Sequence, residues 1–166
     1  MQLNGLIYTL PKELKLLIGA FVIVLSIGFY TGLLFVGETS TANPHGIEEQ
    51  YLGNEADEDA QVMKFKKSEQ EMLTLVHNHI LSMSIIFFLV GLILSTTKLQ
   101  KKLKLFLIVE PFISVILTFG GLYLLWSGLL WMKYIVMISG ILMTLTFTAS
   151  VIIIGFQLFQ HKTKQA

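Results

Sequence analysis

Residues 75–104 read LVHNHILSMSIIFFLVGLILSTTKLQKKLK, a stretch without carboxylate or lysine as far as Thr97, closed by Lys98, Lys101, Lys102 and Lys104. A helix that crosses the hydrocarbon core of a bilayer needs about 20 predominantly apolar residues. In lipid such a run must be helical, because no water is present to satisfy an open backbone. Three more stretches qualify, at about 16–36, 105–130 and 135–159, beside this one at about 75–97. The chain therefore reads as all-α: an integral membrane four-helix bundle forming one domain over 1–166, with an acidic outer loop at 37–70 between spans one and two.

Composition agrees. Of the 166 residues 54% are apolar and 14% charged, with a mean hydropathy of +0.70, whereas a soluble domain carries roughly 25% charge. This excludes a soluble enzyme and a disordered chain. All 12 basic residues are lysine, and without guanidinium forks a nucleic-acid partner is excluded as well. There is no cysteine, hence no disulfide, thiolate metal site or catalytic thiol.

The lysines set an orientation. Lys12 and Lys15 precede span one, the Lys98–Lys104 cluster links spans two and three, and Lys162 and Lys164 follow span four. The positive-inside rule places these, and both termini, in the cytoplasm. The loop at 37–70 and the turn at 126–134 then face outward. Ser40-Thr41-Ala42 resembles a signal cleavage site, but the apolar run before it exceeds a signal core of 7–15 residues. Tyr123, Trp126, Trp131 and Tyr134 suit an interfacial aromatic belt at the outer boundary. Small residues favour close helix approach in lipid. Gly28 and Gly32 on span one, and Gly140, Thr144 and Thr148 on span four, are expected to face each other inside the bundle. A homodimer seam is the alternative use of the span-one glycines.

The outer loop has a turn-rich part around His45, an acidic part that includes Glu48, Glu49 and the run Glu55–Asp59, and a part with Met63 and Phe65 between lysines, suited to lie on the membrane surface. The acidic run lacks the spacing of a calcium loop. Ser68-Glu69-Gln70-Glu71 is a capping box, so span two should start as a helix at Ser68, before it enters lipid. His77 and His79 then fall near the outer boundary. His79 and Met83 share a face at i, i+4, while His77 is rotated by about 200° from His79 and cannot chelate the same ion. His79, Met83 and His45 are candidate metal ligands for copper, and His77, His79 and Met83 are candidate haem-binding residues. Interfacial hydrogen bonding to the loop is the simpler use of both histidines. Tyr51 is a further candidate in the loop. Glu110 is the one acid inside an apolar run, and intramembrane carboxylates mark functional sites by default. Since proline favours the first helical position, span three is expected to start at Pro111, with Glu110 at the cytoplasmic interface beside Lys101, Lys102 and Lys104.

On these residues the chain resembles a group of small uncharacterised four-span bacterial inner-membrane proteins. The resemblance rests on Gly46-Ile47-Glu48-Glu49-Gln50-Tyr51-x-Gly53, on Met63-Lys64-Phe65-x-Lys67-Ser68, and on His77-x-His79 with Met83. It covers 46–95 by motif and the later spans by hydropathy alone. It implies a recurring outer-face site that joins loop to helix, without an assigned reaction. Those relatives carry histidine before the loop tyrosine where this chain has Gln50; if that histidine is a ligand in them, its absence here weakens the metal reading.

No nucleophile or carboxylate pair suggests catalysis. The expected function is that of a non-catalytic membrane subunit or accessory protein of a larger respiratory or redox complex, with the lipid bilayer and other membrane subunits or its own copies as partners. A redox protein binding haem b or copper at the outer-face histidines is the alternative. A small transporter or channel comes third, since no inverted repeat or broken helix is evident.

Overall fold

The structure is a computed structural model that describes residues 3–39, 43–55 and 62–160. Ser40, Thr41, Ala42, Asp57, Glu58, Asp59, His161, Lys162 and Lys164 lie outside the described residues. Among those described, every regular element is helical: a 3-10 turn Leu6–Thr9, α1 Lys12–Thr39, α2 Pro44–Leu52, α3 Glu69–Ser95, α4 Lys101–Val115, a π-helical turn Ile116–Gly120, α5 Gly121–Trp126 and α6 Met132–Phe159. Helix α4, the π turn and α5 run on as one rod, Lys101–Trp126, so four rods are long and apolar enough to cross a membrane. This is the all-α four-helix membrane bundle that hydropathy predicts.

The core is mainly apolar, but unlike that of a soluble protein the exposed surface is apolar as well. Leu17, Val24 and Leu34 on α1, Leu81 and Phe88 on α3, Ile113 on α4, and Ile138, Ile152 and Phe156 on α6 are exposed. Meanwhile Glu110, Ser114, Thr118, Ser139, Thr146, Ser150 and Gln157 are buried. Lipid tolerates the first set and penalises the second. The buried hydroxyls mostly turn back onto their own helix, as Thr146 Oγ1 does to Leu142 O at 2.9 Å and Ser150 Oγ to Thr146 O at 2.7 Å. Such bonds satisfy a hydroxyl where water is absent.

Helix α6 is the hub, touching α1, α2, α3, α4, α5 and both shorter turns. Its small and hydroxyl residues allow this close approach. Helix α1 is peripheral, and its main contact is α6. That contact is aromatic: Phe29 stacks on Phe147 with ring centroids 4.0 Å apart, and the Tyr30 hydroxyl bonds Thr148 Oγ1 at 2.8 Å. Gly28 and Gly32 do not face α6, contrary to the sequence expectation. Both are exposed, and a Cβ at either would meet nothing within 4 Å. The bulky Phe29 between them takes the inward position, which turns the glycines outward. Gly121 on α5 is by contrast under close approach, since a Cβ there would come within 2.9 Å of Val136 Cγ2.

At the lysine-rich end, the 3-10 turn tucks under the α3–α4 link. Ile7 is fully buried and its N–H donates to Thr96 O at 3.2 Å. Gln157 grips the same link with both ends of its amide, accepting from Lys98 N at 2.7 Å and donating to Lys98 O at 3.1 Å. Lys104 Nζ donates to Ser95 O, Thr97 O and Asn4 Oδ1 at 3.1, 2.5 and 2.8 Å. A cation on the free carbonyls that end α3 is favourable electrostatically as well.

Candidate functional site

Two regions bring polar chemistry together: a cap at the end of the bundle away from the lysine link, and a groove between α4 and α6. The cap starts from local signals. Asn43 caps α2 by accepting from Gly46 N at 2.8 Å, with Pro44 in the first turn. Gly53 ends α2 at φ 85 and ψ 171, a region open essentially to glycine alone. From there the chain pairs with the strap at 62–67. Asn54 N donates to Lys64 O at 3.0 Å, Asn54 Oδ1 accepts from Lys64 N at 2.6 Å, and Asn54 Nδ2 donates to Val62 O at 3.0 Å. Lys67 N donates to Tyr51 O at 3.1 Å, and Trp126 Nε1 donates to Lys67 O at 2.7 Å. Lys133 Nζ pairs with Glu48 at 2.5 Å, tying α2 to the start of α6. Tyr51 packs against the core, and burial pushes its phenol above the usual tyrosine range. Met63 and Phe65 stay exposed on the strap, apolar side chains suited to a membrane surface.

Helix α3 begins at the capping box. Glu71 N donates to Ser68 Oγ at 3.3 Å, and Ser68 N donates back to Glu71 Oε2 at 2.8 Å. His77 is exposed. His79 stacks on Phe119 of the π turn with centroids 4.6 Å apart. Its Nδ1 lies 2.8 Å from Leu75 O. A carbonyl only accepts, so Nδ1 is the donor in this contact. Asn78 and His79 edge an open groove of about 460 Å³ with Ser68, Glu71 and Met72. Met83, one turn further on, is half-buried against the core. His45 is on α2, where its Nδ1 lies 3.1 Å from Glu49 Oε1. The structure therefore places His79 and Met83 on one helix and His45 on another, each ring engaged within its own helix. Among the described residues no three His, Asp or Glu side chains form a metal-sized cluster.

The expectation for Glu110 is corrected. Helix α4 starts at Lys101, not at Pro111, so the proline lies inside the helix. The lysine-rich first turn docks against the end of α3 and carries the helix past the proline, a position that neighbouring helices make tolerable in membranes. Glu110 is about 13 Å along the axis from Lys101 at 1.5 Å per residue. It is 6% exposed. Ser114 Oγ donates to its Oε1 in a short hydrogen bond. Oε2 is buried and has no hydrogen-bond partner among the described residues. Leaving such an oxygen unsatisfied costs on the order of 1–3 kcal/mol. One turn further, Thr118 and Ser139 share a 2.7 Å hydrogen bond between the third and fourth rods. Glu110, Ser114 and Ser139 lie in a groove of about 650 Å³ whose walls include Val109, Ile113, Ile138 and Leu142. The Glu110, Ser114, Thr118 repeat at i, i+4, i+8 was the available sequence signal for this polar line.

A chain whose described elements are all helical, whose four long rods show an apolar surface and whose interior holds Glu110 and a line of hydroxyls is an integral membrane protein. The family model of the Aq_1264_TM transmembrane helical domain matches residues 41–165, and the chain belongs to that family. No curated protein and no solved structure matches it.

Proposed function

We propose that this chain is a non-catalytic membrane subunit or accessory protein that acts by lateral assembly with another membrane protein, of a respiratory or redox complex. The carrying observation is the outward face of α1. Gly28 and Gly32 lie one turn apart, and among the described residues nothing would come within 4 Å of a Cβ at either; small residues at that spacing are what helices use to meet in lipid. A second copy of the chain is the simplest other occupant. The test is extraction in mild detergent followed by native electrophoresis of the full chain and of Gly28→Leu and Gly32→Leu. Assembly that the leucines abolish supports the reading; a monomer with no companion overturns it.

In this reading both termini face the cytoplasm and the cap faces outward. The support is charge placement, with Lys12, Lys15, Lys98, Lys101, Lys102 and Lys104 at one end of the bundle. Because the native chain has no cysteine, single cysteines at Lys64 and Lys101 report sidedness to an impermeant maleimide. Labelling of position 64 in intact cells, with position 101 protected, is the expected result.

A ligand role for His79 is the second reading. Its Nδ1–H donates to the Leu75 carbonyl, the arrangement that orients ligand histidines and frees Nε2. A visible spectrum and metal analysis of the purified chain test it. A Soret band or stoichiometric copper lost in His79→Ala supports it.

A further inference from the structure

Among the described residues, the groove between α4 and α6 has one buried side-chain polar atom without a hydrogen-bond partner. Ser114 gives its hydroxyl to Glu110, and Ser139 Oγ is engaged by Thr118 and by Ile135 O at 2.7 Å. Glu110 Oε2 is left over, nine-tenths or more of its residue being buried. A water molecule alone is a poor answer, since it needs two to four polar partners; the Ser114 and Ser139 hydroxyls in the groove already donate to Glu110 and to Ile135 O, and apart from Lys102 near one end the other walls are apolar. A lipid acyl chain fills such a groove but donates nothing.

Shape narrows the occupant. The groove follows α4 from Lys102 to Leu117, about 22 Å at the helical rise, a length that suits one extended chain, and its volume of about 650 Å³ lies in the range of small-molecule sites. We propose that it is a binding site, entered from the bilayer, for a single-tailed amphiphile. Its hydroxyl head, phenolic or alcoholic, donates a hydrogen bond to Glu110 Oε2. The terminal carboxyl torsion is soft, so Oε2 turns to the head as it arrives, while the tail lies along Ile113, Leu117, Ile138 and Leu142.

This face of α6 is not the one that holds α1, so the site is independent of the assembly proposed above. The test uses the full chain in lipid nanodiscs, with an environment-sensitive fluorophore on Leu145→Cys, an exposed position one turn beyond Leu142. Para-octylphenol is compared with its methyl ether, which has the same body and no donor. The phenol should give a saturable response at about tenfold lower concentration than the ether, the worth of one hydrogen bond. Glu110→Leu should erase that preference, and Glu110→Gln, which keeps an acceptor, should retain it. Ile138→Trp, at a lipid-exposed wall position, should block both probes without touching the core. Equal binding of phenol and ether overturns the proposal, as does a preference that persists in Glu110→Leu or the lack of any saturable response. The same comparison with geranylgeraniol and its methyl ether distinguishes the two sources of hydroxyl, the larger ratio identifying the natural head.

Discussion

Trp126 Nε1 donates to the main-chain carbonyl of Lys67 at 2.7 Å. The bond joins the end of the third membrane rod to the strap residue that leads into α3, fifty-nine positions earlier in the chain. Lys66 Nζ sits over the same indole, 5.1 Å from its centroid. An aromatic ring that hydropathy assigns to an interfacial belt is therefore also the anchor of the cap. Trp126→Phe keeps the ring and removes the donor. Amide exchange across 62–67 should accelerate about fivefold, the equivalent of ~1 kcal/mol.

Gly53 turns the chain from α2 into the strap at φ 85, and a Cβ there would lie 2.8 Å from Lys66 N and 3.0 Å from Lys64 O. Both neighbours are main chain and cannot move aside cheaply. Gly53→Ala should destabilise the cap by about 1–3 kcal/mol. Limited proteolysis, newly cutting between α2 and α3 while the four rods stay helical by circular dichroism, is the measurement.

Gln157→Leu removes both hydrogen bonds to Lys98 at the other end of the bundle. The main-chain groups of the link lose their partner, at a cost of about 1–2 kcal/mol. Unfolding in a detergent mixture of rising sodium dodecyl sulfate should shift to a lower midpoint by that amount.

Burial raises the phenol of Tyr51 above the ordinary tyrosine value. The folded state thus holds the proton more tightly than the unfolded one. Cap stability from this group is fully present below the unfolded pKa of about 10 and falls as pH rises from there through the folded value. Trp126 fluorescence, followed against pH, should report cap loosening in alkali. Tyr51→Phe should flatten that dependence and leave the neutral-pH signal unchanged.

Much of the architecture was legible in the chain. Four runs above the length of a bilayer crossing have one physical solution, and the Ser68–Glu71 box is a local signal read correctly because its geometry involves only four residues. Side-chain burial was less legible. Gly28 and Gly32 were expected to pack inward, but an apolar helix in lipid has no polar face to show which side meets protein. Phe29 decides that side by fitting Phe147. Glu110 was placed at an interface because Pro111 read as a helix start, a rule drawn from helices whose first turn is free. The Lys101–Lys104 turn is held by Ser95, Thr97 and Asn4, so the helix begins earlier and carries the carboxyl inward.

Hydrophobicity and chain length, which act through the solvent, let the sequence by itself determine a four-rod membrane protein. Which atoms meet was decided by the tertiary structure. Trp126 finds Lys67, Gln157 finds Lys98 and Glu110 is left with one bare oxygen in an apolar groove. These are contacts between distant segments whose direction depends on how the rods rotate about their own axes, and a uniformly apolar surface carries no code for that rotation.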